Sequence, residues 1–451
     1  MGKLSLEAAI EQAGSPVELL RNSGARPTLF PVAPEFTNWR SEQRAWRTRC
    51  VLFDQSHHMT DLYLRGPDAL RLLSSFGVNS FAGFTPGRAK QYVTVNGDGQ
   101  FIGDAILFHL DDGVFDVVGH PTVANWLQYN AEAGGYDVRL ERDENSADRP
   151  SGPPTVYRYE LQGPTAAAIV QKVTGQRLPD VKFFHMTQFS IAGRRVRALR
   201  HGMAGQPGFE VFGPWADGAD VLAAILEAGR EFGLVRAGAK AYSTSNLESG
   251  WIPTAVPAVF GPEMKAYREW LDASALGSVG GSVNSADISD YYVTPYDIGY
   301  GRTVRFDHDF LGREALERIA DRPRRNKVTL VWHPEDVAAA VRSLCEPGEA
   351  AKFIEWPKAR YAFFQVDQVL HEGRPAGMSL DLGYIANERA FVSLATVDTA
   401  VAAPGTEVTV LWGENPVSAK PAVEPHRQVE IRATVAPAPY VAEVRAAYRS
   451  S

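Results

Sequence analysis

Two adjacent histidines, His57 and His58, stand in "LFDQSHHMTDLYLRGPDAL" (Leu52 to Leu70) among Asp54, Gln55, Ser56, Thr60 and Asp61. Imidazoles beside carboxylates, an amide and hydroxyls can bind a metal or move a proton, and a histidine satisfied inside a core is the plain alternative. If the segment is extended the two rings point to opposite sides, so at most one faces a given pocket. The chain has 10 histidines, but none forms HxH, HExxH or a His/Cys cluster with ligand spacing. Only a metal site assembled from distant residues is left open, and no metal is expected. Phosphate loops, a GxSxG elbow and kinase motifs are also missing, and the glycines at 97, 99 and 103 do not make GxGxxG.

Composition narrows the class further. The 451 residues are 45% hydrophobic and 22% charged, the profile of a globular chain of two or three domains. A formal net charge of −7, with basic clusters only at "DRPRRNK" and "AGRRVRALRH", argues against nucleic acid as the main partner. Cys50 and Cys345 form no disulfide framework and no CxxC motif, which fits a reducing cytoplasm. Glu7 and Glu11 interrupt what would be a signal-peptide core, and no apolar run reaches membrane-spanning length. The expectation is a cytoplasmic protein without a membrane partner, as a monomer or small homo-oligomer.

The elements that must hold these residues are legible in outline. Residues 1 to 50 read as a helix, a Pro-rich extended approach and a second helix, "SEQRAWRTRC", with Ser41 as its cap. "QYVTVNGDGQFIGDAILFHL" predicts two strands joined around Asn96-Gly97, and "GHPTVANWLQYNAEAG" a helix with Trp126 and Tyr129 on its packed face. The polar, Pro- and Gly-rich stretch Asp143 to Pro154 marks a break between subdomains. Strand "TVYRYELQG" and helix "PTAAAIVQKVTG" then resume mixed α/β layers. Beyond the basic linker near residue 325 short strands predict an all-β barrel, and the chemistry is expected before it.

The ordered segments "FDQSHHMTDLYLRGPDAL", "VNGDGQFIGDAILF", "ELQGP", "GQPGFEVFGP", "NLESGW", "IGYGRTVRFDHDFLGREAL" and "GRPAGMSLDLGYIANERAFVSLATVD" resemble, in that order, segments of folate-binding aminomethyltransferases of the glycine cleavage T protein type. The resemblance spans nearly the whole chain. The second histidine of "QSHHM", "FTNWR", and "AYSTSNLESGWIP" followed by "MKAYREWL" are most similar to tetrahydrofolate-dependent aryl methyl ether O-demethylases. The fold implied is α+β, a three-domain cloverleaf with a central folate channel. Residues 1–325 would form two interleaved α/β lobes with a break near 143–154, and residues 326–451 the C-terminal β-barrel.

The resemblance also implies roles. Tyr242 falls where aminomethyltransferases carry an arginine. A phenol, with a reference pKa of about 10, suits proton delivery to an ether oxygen whose leaving group is another phenol. Gln55 and His58 would hold the substrate or support that tyrosine, with His58 as the alternative acid. Ser56, His57, His120 and Trp251 are expected at the methoxylated aromatic substrate. Glu210, Trp251 and Tyr92 are expected at tetrahydrofolate, the co-substrate, with Glu210 on the N–H groups of the pterin. Transfer of the methyl group to N5 would rest largely on positioning, worth about 7 to 11 kcal/mol in favourable cases.

Some positions depart from the resembled patterns. Gly103-Asp104 stands where aminomethyltransferases have paired aspartates, Met203 where they have a tyrosine, and His120 where an arginine for the substrate carboxylate is expected. Arg88 and Lys90 are the substitute cations considered. Two further readings stay open: a folate-dependent one-carbon transfer on an amine or sulfonium compound, which would need Asp104 more than Tyr242, and a non-enzymatic folate-binding module.

Overall fold

The computed structural model describes residues 4–25, 30–275, 277–322 and 324–447. The chain lays down β1 (Val51–Asp54) and then leaves to build a second sheet. That sheet contains β2 (Thr60–Arg65), β3 (Arg88–Val95), β4 (Phe101–Asp111), β5 (Val114–Gly119) and β6 (Arg139–Asp143), in the order β3-β4-β5-β2-β6. It returns through β7 (Val156–Gln162), β8 (Met186–Ile191), β9 (Arg194–Arg200), β10 (Gly208–Pro214) and β11 (Val235–Ala237) to complete the first sheet, ordered β11-β1-β7-β10-β9-β8. The two sheets are thus interleaved in sequence, and residues 144–155 carry the return.

A short parallel pair, β12 (Val279–Gly280) with β14 (Phe364–Gln365), precedes a closed barrel. Its strands are β13 (Arg325–Trp332), β15 (Asp367–His371), β16 (Arg374–Ile385), β17 (Ala390–Asp398), β18 (Glu407–Trp412) and β19 (Val429–Ala436), closing as β13-β17-β16-β15-β18-β19. Closure leaves no free edge for another strand to pair with. The region is not all-β, however. Helix Pro334–Arg342 sends Val337 and Ala340 into the core formed by Leu330, Leu382, Val410, Trp412 and Ile431. Its Pro at the first turn and its paired apolar positions are helix signals that the surrounding strands obscure.

The sequence of β7, "VYRYELQ", explains how one strand serves both core and site. Tyr157, Tyr159 and Leu161 project to one face and pack with Leu52, Ile169, Val211, Val221 and Ile225, beneath helices Ala166–Thr174 and Gly218–Gly229. Burial of each such side chain stabilises the fold by about 1.5–3 kcal/mol. Arg158, Glu160 and Gln162 alternate with them and must face the other way. All three are also buried. After them Gly163 holds φ at +133°, and a Cβ there would collide with the Arg49 carbonyl oxygen, which accounts for the glycine in "LQGP".

Two local expectations shift. Helix Trp39–Thr48 is capped by Asn38, whose side-chain oxygen accepts from the Ser41 N–H at 3.0 Å, rather than by Ser41. The β3–β4 hairpin forms, but its turn is longer than an Asn-Gly pair. Asn96 Oδ1 accepts from the backbone N–H groups of Asp98 and Gln100, at 3.1 and 2.9 Å, and Gly99 rather than Gly97 takes the left-handed conformation. The Asn96 side chain replaces a backbone acceptor and so fixes the wider loop. Trp126 and Tyr129 do stack on one face of helix Pro121–Ala133, their rings 6.1 Å apart. Among the described residues no helix is long and apolar enough to cross a membrane.

Candidate active site

Register across β1, β7 and β10 sets Phe53, Glu160 and Glu210 in one row, with Gln55 beside Arg158. Directly opposed residues share a face, so the sheet carries a buried polar surface of Gln55, Arg158, Glu160, Gln162 and Glu210. Arg158 organises one half of it. Its guanidinium bonds Glu210 Oε1 and Asp116 Oδ2, each at 3.0 Å, and also Asp61. Burial alone would lower the Arg158 pKa, but the three carboxylates raise it well above its usual value and keep it charged. No protein donor among the described residues reaches the second oxygen of Glu210. Burial raises the Glu210 pKa, against the opposing pull of Arg158 and His201.

Glu160 organises the other half. It accepts from the side-chain amides of Gln55 and Gln162, and His201 Nδ1 lies 3.4 Å from its Oε1. Burial works to lower the His201 pKa, yet Glu160 and then Glu210 outweigh it and raise the value. Glu160, His201 and Glu210 bring potential ligand atoms within 4.8 Å of one another, the one set among the described residues that could surround a cation. Amide and guanidinium donors already meet both carboxylates, and a histidine driven toward its charged form offers an N–H rather than a lone pair. The donor set therefore fits hydrogen-bonded carboxylates better than a metal.

The Tyr242 hydroxyl and His58 Nε2 form a short hydrogen bond beside this surface, their ring centroids 4.9 Å apart and 69° from coplanar. Tyr242 Oη also lies 3.8 Å from Met203 Sδ, and Gln55 Nε2 lies 3.1 Å from the same sulfur. Phe53 and Phe30 pack edge-on against Tyr242 and His58, at 5.5 and 5.7 Å. Burial holds the His58 pKa at about 4, with His57 and Arg158 pushing the same way. Burial, then the charges of Glu160 and Glu210, raise the Tyr242 pKa well above 10. At neutral pH the pair is a neutral imidazole and a protonated phenol. His57 diverges from its neighbour, with Nδ1 2.9 Å from Ser146 Oγ and its ring edge-on to Trp215 at 5.6 Å.

The second sheet supplies the facing rim. Thr60 pairs with Gly119, so His58 and His120 leave the same end of β2 and β5. The β4–β5 register pairs Ile106 with Val118, and Asp104 and His120 each lie two residues beyond that pair at the same end of the hairpin. Asp104 Oδ2 accepts from Trp251 Nε1 at 2.9 Å and from Tyr300 Oη and Gln91 Nε2, each at 2.5 Å. Burial raises its pKa although these donors oppose the shift. Asp104, His120, Thr122, Pro253 and Phe363 line one cavity.

The structure therefore gathers Gln55, His58 and Tyr242 at one cluster, sets Glu210 on the same buried surface, and brings Trp251 and His120 to the opposing rim. It does not bring Tyr92 there. Tyr92 is fully buried beneath helix Ala69–Phe76 and donates to the Leu73 carbonyl at 2.8 Å, because strand alternation turns Gln91, not Tyr92, toward Asp104. Ser56 is spent on backbone: its Oγ accepts from the Arg158 N–H at 3.0 Å and fastens the end of β1 to β7. Glu160, Gln162, His201 and Gln91 were missed from sequence. The signal for the first two was the polar alternation inside "YRYELQ", where neither face is exposed.

The GCVT N-terminal domain family matches residues 20–255. The chain is 46% identical to a syringate O-demethylase from Sphingobium sp. over 99% of its own length and 98% of that protein's. It is 33% identical to a sesamin methylene transferase from Sinomonas sp., over 85% and 84% of the two chains. The crystal structure of the glycine cleavage system aminomethyltransferase T from Bartonella henselae shares the fold, with a TM-score of 0.62 at 19% identity, covering 93% of this chain and 94% of that one.

Proposed function

The chain belongs to the GCVT family, and from that premise we propose that it is a tetrahydrofolate-dependent O-demethylase of methoxylated aromatic compounds of the syringate or vanillate type. The observation that carries the reading is the Tyr242–His58 pair beside the buried Glu210 surface.

The site fits the co-substrate through Glu210. One of its oxygens is held by Arg158 and the other has no donor among the described residues, which suits the N–H groups of a pterin. When bound, tetrahydrofolate supplies the N5 lone pair that accepts the methyl group. Tyr242 donates its proton at Oη to the ether oxygen as the carbon–oxygen bond breaks, so the product leaves as a phenol rather than a phenoxide. His58 is not the acid, because a neutral imidazole holds no readily released proton at neutral pH. Its Nε2–H instead donates to Tyr242 Oη and stabilises the phenolate that forms there, until the proton released from the methylated nitrogen restores the phenol. Gln55 fixes Met203 and Glu160, and so sets the wall against which Tyr242 rests.

Asp104, which an amine substrate would need, already accepts three hydrogen bonds on one oxygen, and this favours the ether over the amine. The test is anaerobic incubation with tetrahydrofolate and a panel of methoxybenzoates and methoxyphenols, following phenol and 5-methyltetrahydrofolate together. Equal amounts of both products are expected. Folate binding without turnover of any aryl ether would overturn the reading.

A further inference from the structure

Resting on the demethylase reading, we propose that Arg360 and His120 form a carboxylate subsite around Phe363, which lines the same cavity as His120, with the guanidinium and the imidazole Nε2–H as its donors. Arg360 makes no hydrogen bond or ion pair among the described residues and keeps accessible surface; its side-chain contact is with the Phe363 ring, 5.8 Å from Cζ. Asp381, the acidic group that acts on it, is committed to Lys358 and Asn246. A half-buried arginine has given up part of its hydration, and a carboxylate offers it a charge-assisted hydrogen bond in return.

His120 completes the geometry. Its ring lies 5.0 Å from that of Phe363, so both donors flank one aromatic wall. The Thr122 backbone N–H donates to His120 Nδ1 at 3.4 Å, and Thr122 Oγ1 lies 2.7 Å from the same atom. Nδ1 is therefore the acceptor, and the ring proton sits on Nε2, which has no partner among the described residues. His120 caps helix Pro121–Ala133, whose positive end adds to the attraction for an anion. Asp148 opposes it, but is itself bonded by Asn145 Nδ2 at 2.7 Å. The other cations considered serve less well. Lys90 donates to the Ser80 carbonyl and lies over the Phe81 and Phe84 rings at 4.5 and 4.0 Å, and Arg88 is exposed at the outer end of β3. Two carboxylates could fill the subsite, that of the aromatic acid or that of the glutamyl tail of the folate.

The experiment compares kcat/KM for syringate with that for its methyl ester, and KM for tetrahydrofolate, in the wild type, Arg360→Met, Arg360→Lys and His120→Ala. An aromatic carboxylate predicts that Arg360→Met lowers the acid-to-ester ratio about 10- to 100-fold, the loss of a charge-assisted contact, with partial recovery in Arg360→Lys and a smaller fall in His120→Ala. A folate carboxylate predicts the same order of effects on the KM for tetrahydrofolate, with the ratio kept. Movement of neither quantity, or a fall of acid and ester alike, would overturn the subsite. Syringate and tetrahydrofolate binding, followed without turnover by tryptophan fluorescence, separates the two hypotheses. Arg360-dependent binding without any demethylation would leave the subsite standing and sink only the proposed reaction. A melting curve for each variant identifies one that fails to fold, in which case Arg360→Lys carries the comparison.

Discussion

The Tyr242 hydroxyl meets His58 Nε2 across 184 positions of sequence, with the two rings nearly perpendicular and their centroids 4.9 Å apart. Among the described residues neither group hydrogen-bonds a carboxylate, and burial favours the neutral imidazole and the protonated phenol. Tyr242→Phe removes that proton while keeping the ring packed on Phe53. Single-turnover demethylation should slow by about 10²- to 10⁴-fold, the range for loss of a positioned acid. A rate within threefold of wild type would remove Tyr242 from the mechanism.

The depressed His58 pKa, about 4, makes acid stability a second test. In the unfolded chain this ring binds a proton below about pH 6.5, whereas in the folded chain it does so only below about 4. Between those limits the unfolded state holds more protons, so stability rises with pH through this window and levels off above it. The melting temperature of His58→Gln should therefore depend less steeply on pH between 4 and 6.5 than that of the wild type. Equal slopes would contradict the neutral, half-buried imidazole.

Arg158 is the cation shared by Asp61, Asp116 and Glu210. Arg158→Met leaves buried carboxylates without their counter-charge and should cost about 3–5 kcal/mol of stability, the usual consequence of breaking a buried ion pair from one side. Urea denaturation near neutral pH measures it, and a loss below about 1 kcal/mol would show that the carboxylates had simply taken up protons.

Glu160→Gln withdraws the carboxylate that raises the His201 pKa and accepts from Gln55 and Gln162. His201 should then titrate lower, which NMR of its ring carbons can follow. Demethylation should fall as Gln55 loses its anchor, and an unchanged His201 titration would refute the assigned coupling.

Tyr92→Phe tests the correction made to the folate site. Loss of the hydrogen bond to Leu73 should cost about 0.5–1.5 kcal/mol of stability, while the affinity for tetrahydrofolate stays at the wild-type level. A tenfold weaker affinity would return Tyr92 to the cofactor.

How far sequence reached depends on whether a signal was local. Strands β3, β4 and β7, the helices from Pro121 and Ala166, and the run of barrel strands were legible because period-two or helical patterning lies in consecutive residues. Helix Pro334–Arg342 was overlooked because nine residues between strands offer only two turns of pattern. Tyr92, expected at the folate, turns its hydroxyl to the Leu73 carbonyl while its neighbour Gln91 meets Asp104, because one position in a strand exchanges one face of the sheet for the other.

Sequence by itself determined the resemblance, the interleaved α/β order and the candidates Gln55, His58, Glu210 and Tyr242, since each lies in a stretch whose residue types and order are readable along the chain. Tertiary structure alone decided that Glu160 and His201 share their surface, that Gln91 rather than Tyr92 reaches Asp104, and that Arg360 and His120 meet the same Phe363 ring. Those relationships depend on strand register and on contacts between residues more than a hundred positions apart in some cases, and burial then sets their charge. No local pattern encodes which distant group will share a low-dielectric cleft.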